Sequence, residues 1–412
     1  MDPTIARVLA HERVRAARQH IEHTDEATLA RQAALSAIPA PTGAEAQRAA
    51  RVAELFREAG LAQVAVDRAG NVRGWFGVDG EPPTRHGAPV VLAAHLDTVF
   101  AAGVDVRVER RGERLAGPGI SDNARGLAAL VTVAEALVVA AVPVSRPVLF
   151  AATVGEEGSG NLRGVRYLLD GKASAGPGDP AADANPVAFI ALDGAGIERV
   201  IHRALGSKRY HVTFRGPGGH SWAAFGVANP ATAVGRAAAL IAELPTVRSP
   251  RTTCAVVGLG GGSGLNSIPQ EAWLDLDLRS EDPRALAQLD AAVRAALERA
   301  LADENRTRTP ATAPLAVAVQ LVGDRPSGLT PRTHPLVQAA IAANRALGRD
   351  ADLTSASTDA NVPIALGIPA IALGAGGHAG DAHLNTEWFE NVEGALGIVR
   401  ALLVTVAMAD VV

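Results

Sequence analysis

Cysteine is nearly absent: Cys254 is the single thiol in 412 residues. One thiol cannot close a disulfide within the chain, so an internal cross-linked framework is excluded and a reducing, cytoplasmic setting is expected. Aromatic residues are scarce too, at 3%, and Ala, Val and Leu supply most of a hydrophobic content of 48%, ample for a globular core. A charge excess of either sign is missing, since 39 basic and 43 acidic residues leave a net charge of −4. No basic stripe stands out that would suit a nucleic-acid partner; the mixed-sign "RVERRGER" (107–114) reads as a solvated hairpin. No uninterrupted apolar run of about 18 residues exists, so no membrane span is expected. The stretch "LAALVTVAEALVVAAVPV" (127–144) comes nearest, but it contains Glu135 and ends at prolines, which suits a buried helix. The N-terminal "MDPTIARVLAHERVRAARQH" carries charges throughout and lacks the apolar segment of a secretory signal.

At 412 residues the chain exceeds what one hydrophobic core usually serves, so two domains are expected. Residues 25–60 read as helix, ending at Gly60. Beyond them the chain alternates apolar strands with helices. The strands are "PVVLAA" (89–94), "PVLFAATV" (147–154), "VAFIAL" (187–192) and "AIAL" (370–373). Continuous apolar runs of this kind suit strands covered on both faces, hence an α/β fold with a mostly parallel central sheet flanked by helices. The middle of the chain differs. Residues 208–216, a helix at 229–244 capped by Asn229, a hairpin formed by "RTTCAVVGLGGG" and "EAWLDLDLRS", a helix at 282–304 and a strand at 314–323 have the order β-α-β-β-α-β. That is the split ferredoxin-like unit. It is inserted into the α/β domain, giving expected segments 1–206, 207–323 and 324–412. "DGKASAGPGDPAADANP" (170–186) reads as a surface loop.

The residues just past each apolar strand carry the chemistry. His95 and Asp97 stand after the first, Glu156 and Glu157 after the second, Asp193 after the third, and "GAGGHAGDAH", with His378 and His383, after the fourth. In open parallel sheets the functional crevice lies at the carboxyl ends of the strands. A fifth piece is Asp122, in the Gly-rich entry to a helix, where a helix cap is the plain alternative. Histidine and carboxylate ligands without thiolates suit zinc, manganese or cobalt. Two histidines and three carboxylates are too many for one tetrahedral zinc; they fit two divalent ions about 3.5–4 Å apart that share a carboxylate.

The motifs "HLDTV" (95–99), "GISDNARG" (119–126), "GEEGSG" (155–160), "LDGAG" (192–196), "GPGGHS" (216–221), "LNSIP" (265–269) and "HLNTE" (383–387) stand in an order and spacing found together elsewhere. By them the chain resembles the co-catalytic zinc exopeptidases and aminoacylases, which include glutamate carboxypeptidase, acetylornithine deacetylase, succinyl-diaminopimelate desuccinylase and peptidase T. The resemblance implies that His95 and Asp193 serve one metal, Glu157 and His383 the other, and that Asp122 bridges both. It makes Asp97 the residue that orients His95, and Glu156 the general base that takes a proton from a metal-activated water. It further implies that the inserted domain is a lid and dimerisation domain. His220 would reach the site from a partner subunit, Asn266 would join it as a polar lid contact, and Arg279 would grip a substrate carboxylate. Gly376 and Gly377 would offer backbone N–H groups. The peptide after Asp122 is cis in relatives, and the Asp122-Asn123 pair is compatible with that.

The implied function is a dinuclear metal-dependent hydrolase that cleaves the amide bond of short peptides. An N-acyl or N-carbamoyl amino-acid amidohydrolase would use the same machinery, and a non-enzymatic metal-binding protein would not need Glu156. For the adjacent glutamates, period-two alternation suggests that one faces the metal and its neighbour the substrate water, whereas the plain alternative is a solvated acidic turn. "GLGGGSG" (258–264) joins two expected strands and lacks the lysine of a phosphate loop. Cys254 lies in a strand pattern and reads as a core residue. His378 competes with His383 as a ligand.

Overall fold

The computed structural model describes residues 3–78, 87–169, 185–245 and 247–411. The chain divides into two compact units, Met1–Ala204 with Leu329–Val412, and Leu205–Gly328.

The first unit is built on a mixed sheet. Its centre is four parallel strands in the spatial order Val148–Thr153, Val90–His95, Ala188–Leu192 and Ala370–Leu373. Every residue of the four is buried, because helices cover both faces and no side of the pleat meets water. Val72–Phe76 and then Ala62–Val66 extend one edge antiparallel; Arg199–Ala204 runs antiparallel on the other, with Asp352–Ala356 parallel to it. The helix Ala124–Val139 packs into the main core with almost its whole surface buried, which is why its sequence is apolar all round. The mixed-sign segment forms the hairpin Glu109–Arg111 with Arg114–Ala116.

The N-terminal region departs from the sequence reading. Residues 25–60 form two helices, Asp25–Ser36 and Ala46–Glu58. Pro39 and Pro41 cannot sustain a helix through the break, and the break is used: Pro41 bridges to Thr98, just beyond the His95 strand. Two earlier helices, Pro3–Ala10 and Glu12–His23, bury Ile5, Val8, Val14, Ala17 and Ile21 in the same core. Of the loop expected at 170–186, all but residues 185 and 186 lie outside the described residues.

The second unit has the strand order Thr252–Gly261, Glu271–Ser280, Gly206–Arg215, Ala316–Arg325, all antiparallel neighbours. With the helices Pro230–Ala242 and Pro283–Thr307 this is the β-α-β-β-α-β order read from the sequence. The two helices cover one sheet face, so inward residues such as Leu274, Leu276 and Leu278 are buried while their neighbours are half-exposed. Asn229 and Asp282 cap the helices through side-chain oxygens that accept from backbone N–H groups. Gly258–Gly261 complete a strand, and Cys254 sits half-buried against the core, its thiol pushed up to about 11 by burial and by Asp277.

Candidate metal centre

Every element of the centre lies in the first unit, at the carboxyl ends of the parallel strands. His95 is the last residue of its strand, and its sheet partner is Thr153. Asp193 comes directly after Leu192, its N–H donating to the Leu373 carbonyl at 2.9 Å. The chain steps from the His95 strand to Val148–Thr153 on one side and later to Ala188–Leu192 on the other. Side chains from both directions therefore meet above His95, as at other switch points of parallel sheets.

Two sets of donor atoms result, each with all atoms within 4.8 Å of one another: His95, Asp122 and Asp193; and Asp122, Glu157 and His383. Asp122 belongs to both. Its Oδ1 lies 3.0 Å from His95 Nε2 and its Oδ2 3.1 Å from His383 Nε2, while His383 Nε2 is 3.2 Å from Glu157 Oε1. A third such set joins His95, Glu156 and Glu157. His378 belongs to none of the three sets among the described residues. His383 adopts φ +70°, a left-handed conformation uncommon for a residue with a Cβ and concentrated at functional positions. The Asp122–Asn123 peptide is cis, as the resemblance implied.

The two glutamates are buried, at 4% and 7% exposure, so the solvated acidic turn is excluded. Strict alternation also fails, because one oxygen from each lies within 4.8 Å of the other and of His95. The reason is Asp97. Its carboxylate accepts the N–H of Glu156 at 2.9 Å and of Glu157 at 3.0 Å, and the Thr42 hydroxyl at 2.8 Å. That curls the segment around one anion, and Gly155 supplies the φ of +65° at which the strand turns. Asp97 holds the His95 ring mainly through its backbone carbonyl, 3.0 Å from Nδ1; its carboxylate lies at 3.7 Å.

The electrostatics are those of buried carboxylates packed against imidazoles. Burial would raise the Asp97 carboxyl, but His95, then the Glu157 N–H and Thr42, outweigh it and hold the group at about 2. Asp122 is held far below the usual carboxylate range, because His383 and His95 overcome its burial. Burial, then the charge of Asp122, with smaller contributions from Glu157 and Asp359 and against the pull of His95, pushes Asp193 up to about 7. Hydrogen bonds from its ring to the carboxylates of Asp122 and Glu157 bring His383 up to about 10; His95 is raised well above its usual value against the cost of its burial. The packed carboxylates thus favour the protonated form of each imidazole, and a divalent ion held by the same donors would compete with those protons.

Glu387 is the residue whose role the sequence did not disclose. It is wholly buried, and its carboxylate accepts from the N–H groups of Gly119, Ser121 and Asp122 at 3.0, 2.8 and 2.9 Å and from the Ser121 hydroxyl at 2.8 Å. It fixes the loop that presents Asp122. The only signal was its place in "HLNTE", four residues after His383. Asn123 locks the other side of that loop: its Nδ2 donates to Leu192 O at 2.8 Å, and its Oδ1 accepts from Gly126 at 3.1 Å and from Gly194 at 3.3 Å. Arg48, also fully buried, donates to Leu96 O at 2.8 Å.

Of the two glycines, Gly376 has its N–H engaged with Gly196 O at 3.0 Å, whereas Gly377 lines the cavity beside Asp122 and Asp193. Three candidates belong to the second unit. His220 pairs with Ser267 in a short ladder, and its Nδ1 accepts from the N–H of Trp222 at 3.2 Å and of Ala223 at 3.4 Å. Asn266 is exposed, its carbonyl accepting from the N–H of Ser221 at 2.9 Å. Arg279 donates through Nε to Asp277 at 2.9 Å.

Residues 91–409 match the family model of peptidase family M20/M25/M40. Comparison with curated proteins returns no match. Among solved structures, aminopeptidase PepT from Bacillus cereus is similar with a TM-score of 0.71 at 20% identity, over 93% of this chain and 98% of that one. A tripeptidase from Staphylococcus aureus gives 0.73 at 20% identity, over 93% and 98%. A hydantoinase/carbamoylase family amidase from Burkholderia vietnamiensis gives 0.65 at 19% identity, over 95% and 96%. Among the described residues no helix is long and apolar enough to cross a membrane.

Proposed function

Because the chain belongs to peptidase family M20/M25/M40, metal-dependent hydrolases of carbon–nitrogen bonds, we propose that it hydrolyses the amide bond of short peptides with two divalent cations, zinc first among the candidates. The observation that carries this reading is the pair of three-residue donor sets sharing Asp122. The donors are imidazole and carboxylate only, which suits zinc, manganese or cobalt. His95, Asp122 and Asp193 would hold one ion; Asp122, Glu157 and His383 the other. When bound, the ions supply Lewis acidity that lowers the pKa of a water and polarises a carbonyl.

The remaining chemistry belongs to the chain. Glu156 is the carboxylate near His95 that neither ligand set needs, so it accepts the proton of the attacking water and returns it to the leaving nitrogen. Asp97 holds the backbone of Glu156 and Glu157 in place through two charge-assisted hydrogen bonds. His220 has its Nδ1 lone pair turned to backbone N–H groups, which places its proton on Nε2 and makes that atom a donor for a developing oxyanion. We assign it to the site of a partner copy in a dimer formed through the second unit, together with Asn266 and Arg279.

A second reading uses the same groups on N-acyl or N-carbamoyl amino acids, and the likeness to the hydantoinase/carbamoylase family amidase is what favours it. The deciding experiment loads the protein with zinc, manganese or cobalt and presents dipeptides, tripeptides, N-acetyl and N-carbamoyl amino acids. Release of amino acids from the peptides, lost by at least about a hundredfold in E156Q with two metals still bound by elemental analysis, is the expected outcome. Turnover confined to N-acyl or N-carbamoyl compounds establishes the second reading, and turnover of none refutes both.

A further inference from the structure

The cavity that Asp122 and Asp193 open into has a volume of about 490 Å³ and lies wholly within the first unit. Arg199 and Ile201, two apart on the strand Arg199–Ala204, both line it, while Val200 between them is fully buried. Alternation along the strand therefore aims the Arg199 side chain at the cavity. Ala356, Ser357 and Thr358, at the end of the parallel neighbour Asp352–Ala356, continue that wall. The rest of the lining is mostly glycine and alanine, so it neither fills the cavity nor offers a large apolar face.

Arg199 is the one permanent cation among the lining residues. Asp122 and Asp193 share that lining, but Asp122 is engaged by His95 and His383, and both belong to the donor sets that would hold cations. No ion pair or side-chain hydrogen bond among the described residues engages the Arg199 guanidinium. Glu198, its neighbour in sequence, acts on Arg349 and Arg400 instead. A guanidinium facing a concave site without a counter-ion is a ready receptor for a carboxylate, which its planar fork can hold with two parallel hydrogen bonds.

We propose that Arg199 binds a carboxylate on the substrate's side chain, so that the enzyme selects acidic peptides, or N-acyl derivatives of acidic amino acids, over their neutral isosteres. This rests on the amide-hydrolase reading above and adds a specificity determinant to it. An uncharged isostere leaves the guanidinium solvated and forfeits the paired hydrogen bonds, a loss that sites built for polar recognition convert into large discrimination.

The test compares Glu-Ala with Gln-Ala, Ala-Glu with Ala-Gln, and Ala-Ala with its C-terminal amide, in the metal-loaded wild type, R199Q and R199E. The expected result is a preference of about tenfold or more in kcat/KM for the glutamate member of at least one side-chain pair. That preference disappears in R199Q through KM and inverts in R199E, and Ala-Ala, which offers no side-chain carboxylate, falls less in R199Q than the preferred glutamate substrate does. The proposal is overturned if the wild type does not distinguish glutamate from glutamine, if R199Q keeps the preference, if R199Q changes only the Ala-Ala pair, or if all substrates fall together. A binding arm separates this from failure of the hydrolase reading. Calorimetric titration of the metal-loaded protein with succinate and with butyrate should favour succinate, and R199Q should erase the difference. Should no amide be cleaved, that reading falls, and equal affinity for the two acids removes the role of Arg199 as well.

Discussion

At the residue scale the centre is a set of carboxylates packed against two histidines, whose Nε2 atoms lie 3.0 and 3.1 Å from the two oxygens of Asp122. With His383 raised to about 10 and His95 also raised, the carboxylates around both imidazoles favour their protonated forms, and a cation competes with those protons. Metal affinity therefore rises with pH and falls as acid is added. Calorimetric loading at pH 7 in two buffers of different ionisation enthalpy should register a net release of protons, from the two histidines and in part from Asp193, which is pushed up to about 7; none released would mean that the histidines are not ligands. Glu387 makes a second prediction. E387Q replaces one of the two acceptor oxygens by an NH2 group that can only donate, facing N–H groups that need an acceptor. Metal affinity should fall about 10–100-fold, the cost usual for a residue that orients a ligand. Equilibrium dialysis measures it, and unchanged affinity would reduce Glu387 to a packing group. Glu387 and Asp97 both stand in motifs legible in the sequence, yet what each carboxylate holds depends on loops 265 and 59 residues away.

At the element scale, apolar runs and capping residues located most of the strands and helices. The four central strands fall within a residue or so of where continuous burial suggested, because a strand covered on both faces has no polar position to blur its ends. The long helix Pro283–Thr307 begins after Asp282, whose carboxylate accepts from Arg284 and Ala285 at 2.9 and 2.8 Å. D282A should lower the stability of that unit by about 1 kcal/mol, read as a shift in its denaturant midpoint with little change in the steepness of the transition. The reading failed between residues 25 and 60, where polar helix-formers masked a break whose purpose is tertiary. Pro41 and Thr42 leave the helix to meet Thr98 and Asp97 beside the centre.

At the scale of the whole molecule, the proposed function asks for more than one chain. His220 sits in the second unit with its Nε2 directed by two backbone N–H groups to be a donor. Trp222 and Phe225, at 87% and 88% exposure, stand close to it in sequence, as a surface awaiting a partner would have them. H220A should therefore lose at least about a hundredfold in kcat with both metals retained, the loss typical of one oxyanion donor. Sedimentation should find dimers for wild type and variant alike. Mixing H220A with E156Q should restore activity through hybrids that carry one intact site; no recovery on mixing would place the donor in its own chain's site or remove it from the reaction.

The sequence by itself determined the α/β class, the inserted ferredoxin-like unit, and the kinds of side chain waiting at the strand ends, because periodicity, capping and residue chemistry are local properties. Tertiary structure alone decided which of those side chains meet. Asp122 stands between His95 and His383, 288 residues apart in the chain, only because parallel strands deliver distant loops to one edge. It also decided that both glutamates turn inward around Asp97, that Glu387 holds the loop of Asp122, and that Arg199 faces the same cavity. Each depends on contacts between segments far apart in the chain, and such contacts leave no period in the sequence to read.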